Sequence, residues 1–154
     1  MSEATIVAYR PEYAEDFKRI SYAWLDQYFG IEEEDRELLE NHEEKIIATG
    51  GAILLVQHQG KIAGGCALIR YNDDLYELAK MGVSPENQGL GLGRKLAEAI
   101  IDKARSLGAK KVYLESSEKL TAALALYAKL GFKPDPELEV SPFSRCNVQL
   151  ALTL

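Results

Sequence analysis

The chain has 154 residues, 47% of them apolar, enough to bury one substantial core and too few for two. Its 18 Lys and Arg stand against 24 Asp and Glu for a net charge of −6, and no basic run interrupts that balance, which disfavours a nucleic-acid surface or an anionic-membrane partner. The opening segment MSEATIVAYR has neither a basic leader nor a long apolar stretch, and nothing approaches the roughly 18 consecutive apolar residues of a membrane span, so the expectation is one cytoplasmic domain over residues 4–154.

Residues 5–10 (TIVAYR) alternate like a short strand, and Pro11 opens a helix where its missing N–H costs nothing. Tyr13, Phe17, Ile20, Trp24 and Tyr28 recur at helical spacing, a stripe that reads either as core or as part of a substrate wall. Residues 31–45 (IEEEDRELLENHEEK) form a charged second helix and loop, with acids crowded at the start, where they favour the helix dipole. That face is either simply solvated or, through Glu33 and Glu34, a negative rim for cationic substrates. From Ala52 the period changes: residues 52–58, 61–71 and 75–83 read as three strands joined by tight QG and NDD connections, an antiparallel meander. Residues 89–107 return to helical spacing, with Leu96, Ile100, Ile101, Ala104 and Leu107 inward and Gly108 as C-cap. A short strand over 111–117 precedes a second amphipathic helix within 117–132, whose Leu120, Ala123, Leu124 and Tyr127 match the i, i+3, i+4, i+7 pattern and which Gly131 stops. A Pro-punctuated loop, KPDPELEVSP (133–142), leads to a last strand, SRCNVQLALTL (144–154). The order βααβββαβαβ, without repeats or linkers, predicts an α/β (α+β) domain on a mixed sheet with helices on its faces. Cys66 and Cys146 lie far apart in apolar or strand-like contexts, the pattern of two reduced, packed thiols.

The stretch NQGLGLGRKL (87–96) places Gly89, Gly91 and Gly93 at the mouth of a helix. The dinucleotide spacing G-x-G-x-x-G and the P-loop spacing, each begun at Gly89, both fail at Arg94. What remains is a strand, a bare loop and a helix start, which present successive N–H groups and a positive helix end to an anion. Glycine content alone leaves a flexible turn equally open.

The longer stretch VSPENQGLGLGRKL (83–96) resembles the acetyl-CoA-binding motif of the GNAT superfamily of acyl-CoA-dependent N-acyltransferases, Gln/Arg-x-x-Gly-x-Gly/Ala, with Gln88, Gly91 and Gly93 in the fixed positions. LYAKLGF (126–132) is similar to the superfamily's second signature, a helix ending in Tyr, a basic residue and Gly-Phe. The resemblance implies a mainly antiparallel central sheet with helices on both faces. It implies acetyl-CoA as acyl donor, its pyrophosphate on the backbone of Gln88, Gly89, Leu90, Gly91, Leu92, Gly93 and Arg94, and its pantetheine arm along Met81, Gly82 and Val83. Many members carry an Asn early in the final helix that contacts the cofactor; here the stretch reads SSEKLTA, and Ser116 or Ser117 stands as its substitute.

Transfer to nitrogen needs an uncharged amine, because an ammonium has no lone pair, and it leaves a thiolate to be protonated. Alternation along 75–83 puts Leu75, Glu77, Ala79, Met81 and Val83 on one face, making Glu77 a lone carboxylate among apolar neighbours, where its pKa would rise toward that of a general base. A GNAT subgroup carries Glu at this place; a structural or substrate-orienting carboxylate is the other reading. Tyr127 is the acid candidate, with packing as its alternative. His42 and His58 lack a clustered ligand set, and no metal is expected. Arg145 and Asn147 are either ordinary strand residues or part of the acceptor pocket. The sequence thus points to an acetyl-CoA-dependent N-acetyltransferase acting on a small-molecule or peptide amine through a ternary complex, with no nucleic-acid or membrane partner and a homodimer left open. The alternative is a non-catalytic acyl-CoA-binding sensor on the same fold.

Overall fold

Strand-forming runs rich in Ile, Val and Leu build a seven-stranded sheet in the computed structural model, which describes residues 4–138, 141, 143 and 145–154. In chain order the elements are β1 (Ala4–Ala8), α1 (Ala14–Tyr28), α2 (Glu33–Glu40), β2 (Ala52–His58), β3 (Lys61–Arg70) and β4 (Leu75–Val83), then α3 (Leu92–Ser106), β5 (Lys111–Ser116), α4 (Thr121–Lys129), β6 (Lys133–Pro134) and β7 (Val148–Thr153). The sheet runs β1-β2-β3-β4-β5-β7-β6. Among the described residues only β4 and β5 are parallel neighbours, and α3 makes the crossover that a parallel pair requires.

The two faces bury separate apolar clusters. On one, α3 and α4 close over Leu68, Val112 and Leu114; on the other, α1 and α2 bring Phe17, Leu25 and Leu39 onto Ile53 and Leu55. Each such fully buried side chain contributes about 1.5–3 kcal/mol relative to exposure. The stripe on α1 divides: Phe17 and Ile20 are core, Tyr13 packs against that core, and Trp24 and Tyr28 line a cavity.

The structure departs from the sequence reading in several places. α3 begins at Leu92, because Gly89 and Gly91 take left-handed φ and hold the chain out of the helix. Leu107, expected inward, is 39% exposed at the helix end, where the chain turns at Gly108. The loop after Gly131 opens with the two-residue β6, which pairs with β7. β7 starts at Val148, later than expected, and residues 139, 140, 142 and 144 of the predicted loop and strand lie outside the described residues.

The expected single face of β4 is broken by a bulge. Lys80 has φ +52°, and Lys80 and Met81 together oppose Cys66 between the Ala79–Ala67 and Gly82–Gly65 pairs. An extra residue reverses the alternation, so Met81 and Val83 pack on the α3 side with Leu78, while Gly82 faces α1. A side chain at Gly82 would sit 3.2 Å from Cβ and Cγ of Trp24, so glycine there lets α1 close on the strand.

Candidate active site

β4 and β5 pair over three rungs only, Leu75–Lys111, Tyr76–Val112 and Glu77–Tyr113. Beyond Glu77 the pairing stops, leaving Leu78–Val83 unpartnered on that side beside a cavity of about 590 Å³. An open strand edge lining a cavity is a template for an extended, amide-bearing ligand. Gln88 Nε2 donates to the carbonyl of Val83 at 3.1 Å and so fastens the strand end to the loop that follows.

That loop is built to receive an anion. Gly89 (φ +84°) and Gly91 (φ +78°) turn the chain into α3, which starts without a side-chain cap. Among the described residues no backbone N–H from Gly89 to Arg94 donates to a backbone carbonyl. A Cβ added at Gly89, Gly91 or Gly93 would meet nothing within 4 Å, so internal packing does not require these glycines. Free donors, a positive helix end and an unobstructed approach fit a diphosphate. Leu90 is exposed and the Leu92 side chain is buried in the core, so these two positions offer only backbone. Arg94 lines the cavity and pairs with Glu98 at 3.4 Å.

Glu77 stands on the last rung, where the two strands separate, and Tyr113 Oη donates to its Oε1 at a long 3.4 Å. Glu115, two residues farther along β5, lines the same cavity. Burial raises the Glu77 pKa, and the negative charge of Glu115 adds to it; against the weaker opposing pull of Lys80 and Tyr113, it reaches about 7. Tyr127 also lines the cavity, 7% exposed, its ring edge-on to Phe132 at 5.8 Å. Burial pushes its phenol above the usual range, which keeps it a proton donor at neutral pH. Ser117 Oγ accepts from the Lys119 N–H (3.2 Å) and Asn147 Oδ1 from the Glu118 N–H (3.0 Å), so both shape the turn into α4. Ser116, buried beside them, lies on the cavity wall.

The far end of the cavity is aromatic. Trp24 contacts Tyr28 and Phe29 at centroid distances of 5.3 and 5.8 Å, and Phe143 also lines the cavity. Lys80 and Arg145 on this wall converge on Asp35, which is 0% exposed. Asp35 accepts from Lys80 Nζ (2.6 Å), from Arg145 Nη1 (2.8 Å) and Nη2 (2.7 Å), and from the backbone N–H of Glu32 (2.9 Å). One carboxylate thereby ties α2, the β4 bulge and the segment before β7 together. Burial alone would raise its pKa; the hydrogen bonds from Arg145 and Lys80 reverse the sign and hold it below the usual carboxylate range.

The structure therefore brings Glu77, Tyr127, Ser116, Gly82, Gln88, the loop glycines and Arg94 to one cavity. Glu33 and Glu34, the proposed acidic rim, are exposed and do not line it, which favours the solvated-face reading. The sequence analysis does not single out Glu115, Lys80 or Asp35. Asp35 falls within the acid-rich start of α2, and its place three residues after Glu32, where the two form a capping box, is the spacing that could have revealed it. The cysteines are free, Cys66 buried and Cys146 on the cavity wall. His42 is held by Tyr9 Oη (2.8 Å) and the Leu39 carbonyl (2.7 Å). Among the described residues no helix is long and apolar enough to cross a membrane.

Comparison with known proteins places this geometry among relatives. The family model described as acetyltransferase (GNAT) family matches residues 13–132. An uncharacterized N-acetyltransferase of Escherichia coli, YjgM, is 39% identical over 87 residues, covering 54% of this chain and 52% of that protein. The N-alpha-acetyltransferase RimI of Mycobacterium tuberculosis is 37% identical over 99 residues, covering 64% of this chain and 58% of that protein. The chain spans about half the length of the curated relatives it matches. A GNAT-family acetyltransferase structure from Staphylococcus aureus superposes with a TM-score of 0.86 at 23% identity, covering 98% of this chain and 99% of that one. The structure of yncA from Salmonella typhimurium with its cofactor acetyl-CoA has a TM-score of 0.75 at 23% identity, with coverages of 98% and 94%.

Proposed function

The chain belongs to the acetyltransferase (GNAT) family, and from that membership we propose that it moves an acetyl group from acetyl-CoA to a primary amine by direct attack within a ternary complex. The observation that carries this reading is the single cavity in which an unpaired β4 edge, a run of bare N–H groups, a carboxylate near pKa 7 and a buried phenol converge. The β4 edge from Leu78 to Val83 would hold the pantetheine amides, and the Gly89–Arg94 backbone the pyrophosphate. When bound, acetyl-CoA supplies the activated acyl thioester.

Glu77 then takes a proton from the acceptor nitrogen, directly or through water. With a pKa of about 7 it is basic enough to accept that proton and is substantially ionised under neutral conditions. Tyr127 hydrogen-bonds the departing sulfur and donates its phenolic proton as negative charge develops there; its burial keeps the phenol protonated until that point. Ser116 lines the same cavity, which supports it as the contact to the cofactor arm in place of the usual Asn. The presence of an N-alpha-acetyltransferase among the relatives supports a peptide amine beside a small amine as acceptor.

The test pairs acetyl-CoA titration calorimetry with thiol release across a panel of primary amines. Binding with amine-dependent release supports the transferase. Tight binding with no release for any amine would instead support an acyl-CoA sensor.

A further inference from the structure

Among the described residues, Lys80, Arg94, Lys119 and Arg145 are the cations that line the cavity. Lys80 and Arg145 are the charges that could clamp a carboxylate carried by an acceptor, and both are already spent. Their side chains are only 10% and 13% exposed, and each is bound to the fully buried Asp35, Arg145 by a two-pronged contact. Arg145 Nη1 also meets Glu32 at 3.0 Å, and its guanidinium stacks 4.2 Å from the centroid of Phe143. Lys119 lies 5.9 Å over Phe29 but is exposed, where solvent screens it. Arg94, half-exposed, is paired with Glu98 at the loop end. Of the charged groups on the cavity wall, Lys80 and Arg145 are thus tied to Asp35 and Arg94 to Glu98, whereas Glu77 and Glu115 form no salt bridge among the described residues and share that wall with Trp24, Tyr28, Phe29 and Phe143.

We propose, building on the transfer reading above, that the acceptor is a primary amine with an apolar or aromatic body and no carboxylate next to the nitrogen. Either an arylalkylamine or an uncharged N-terminal residue satisfies this chemistry; a free amino acid does not. The two carboxylates attract the ammonium form and hold its nitrogen near Glu77. A substrate carboxylate in the same place would face both of them and would find no unpaired buried cation to offset its desolvation. The aromatic wall takes the apolar body and favours the adjacent cation.

The experiment measures binding by calorimetry to the full chain saturated with CoA, using phenethylamine, phenylalaninamide and phenylalanine. The amine and the ring are common to all three; the amide mimics a peptide N-terminus, and only phenylalanine adds a carboxylate. The expected result is that at least one of the first two binds tenfold or more tightly than phenylalanine, and their relative affinities separate small-amine from N-terminal recognition. A difference under tenfold, or binding by none of the three, overturns the inference. In Asp35→Asn the cluster loses one negative charge and frees its cations, so the discrimination should shrink by at least threefold; undiminished discrimination in a folded variant contradicts the role given to the cluster. Should that variant fail to fold, the wild-type comparison decides alone. Tight binding of phenethylamine without thiol release would leave this inference standing and remove the transferase reading.

Discussion

Replacing Glu77 by Gln should damage catalysis and improve stability, with both effects governed by the same titration. With a pKa of about 7, Glu77 is ionised to about 9% at pH 6 and about 91% at pH 8. For an acceptor whose amine is already uncharged at pH 6, kcat/KM of the wild type should therefore rise about tenfold across that interval. Glu77→Gln should lose roughly 10²- to 10⁴-fold in kcat, the range of general base catalysis, and flatten the profile. Stability moves the other way. The folded pKa lies above the ordinary carboxyl value of 4.5, so no penalty exists well below pH 4.5, where the group is protonated in both states. As pH climbs from 4.5 toward 7 the unfolded chain ionises first, the wild type loses stability, and the loss levels off above pH 7. The full shift would correspond to about 3 kcal/mol, and because the cavity admits water a realistic difference is about 1–3 kcal/mol at pH 8, or a few degrees in Tm. Thermal scans of both proteins at pH 4 and pH 8, beside the pH–rate profile, provide the assay. A flat wild-type profile, or a stability gap between the two proteins that is the same at both pH values, would refute the assignment of Glu77 as a half-titrated base.

The other expectations are narrower. Gly93→Val adds a side chain at a helical position with nothing within 4 Å, so stability should change by less than about 0.5 kcal/mol while acetyl-CoA affinity, read by calorimetry, falls about tenfold or more from obstructed N–H contacts. Gly91, with φ +78°, would confuse the two effects through backbone strain. Tyr127→Phe keeps the ring packed on Phe132 and should lower kcat by roughly 10²- to 10⁴-fold, a deficit that shrinks with an acyl donor whose thiol leaves without protonation. An equal deficit with both donors would remove the acid role, and no deficit would assign Tyr127 to packing. Asp35→Ala strands Lys80 and Arg145 without their counter-charge and should cost about 3–5 kcal/mol in urea unfolding. Because the folded pKa of Asp35 is depressed, its stabilisation is present above about pH 4 and fades on acidification, so the gap between variant and wild type should narrow in acid.

Much of this protein could be read from short stretches of its sequence. The limits of β2 and β4 follow from runs of β-formers bounded by turn residues, and the buried stripe of α3 follows from apolar spacing. The bare loop at Gly89–Gly93 was legible because the conformations it needs depend on glycine itself, and Gln88 and Tyr127 because they fall within local motifs. These features rest on interactions among residues a few positions apart, which sequence records directly. What the sequence could not express is set by segments far apart in the chain. The bulge at Lys80 reverses the faces of Met81 and Val83 only because β3 supplies one residue opposite two. Asp35 is buried only because Lys80 and Arg145, 45 and 110 positions away, converge on it. Glu77 acquires its raised pKa because strand pairing with β5 stops at Tyr113 and sets Glu115 beside it in a partly dry cavity. A carboxylate's basicity depends on the charges and water around it, and only the assembled fold decides which charges those are.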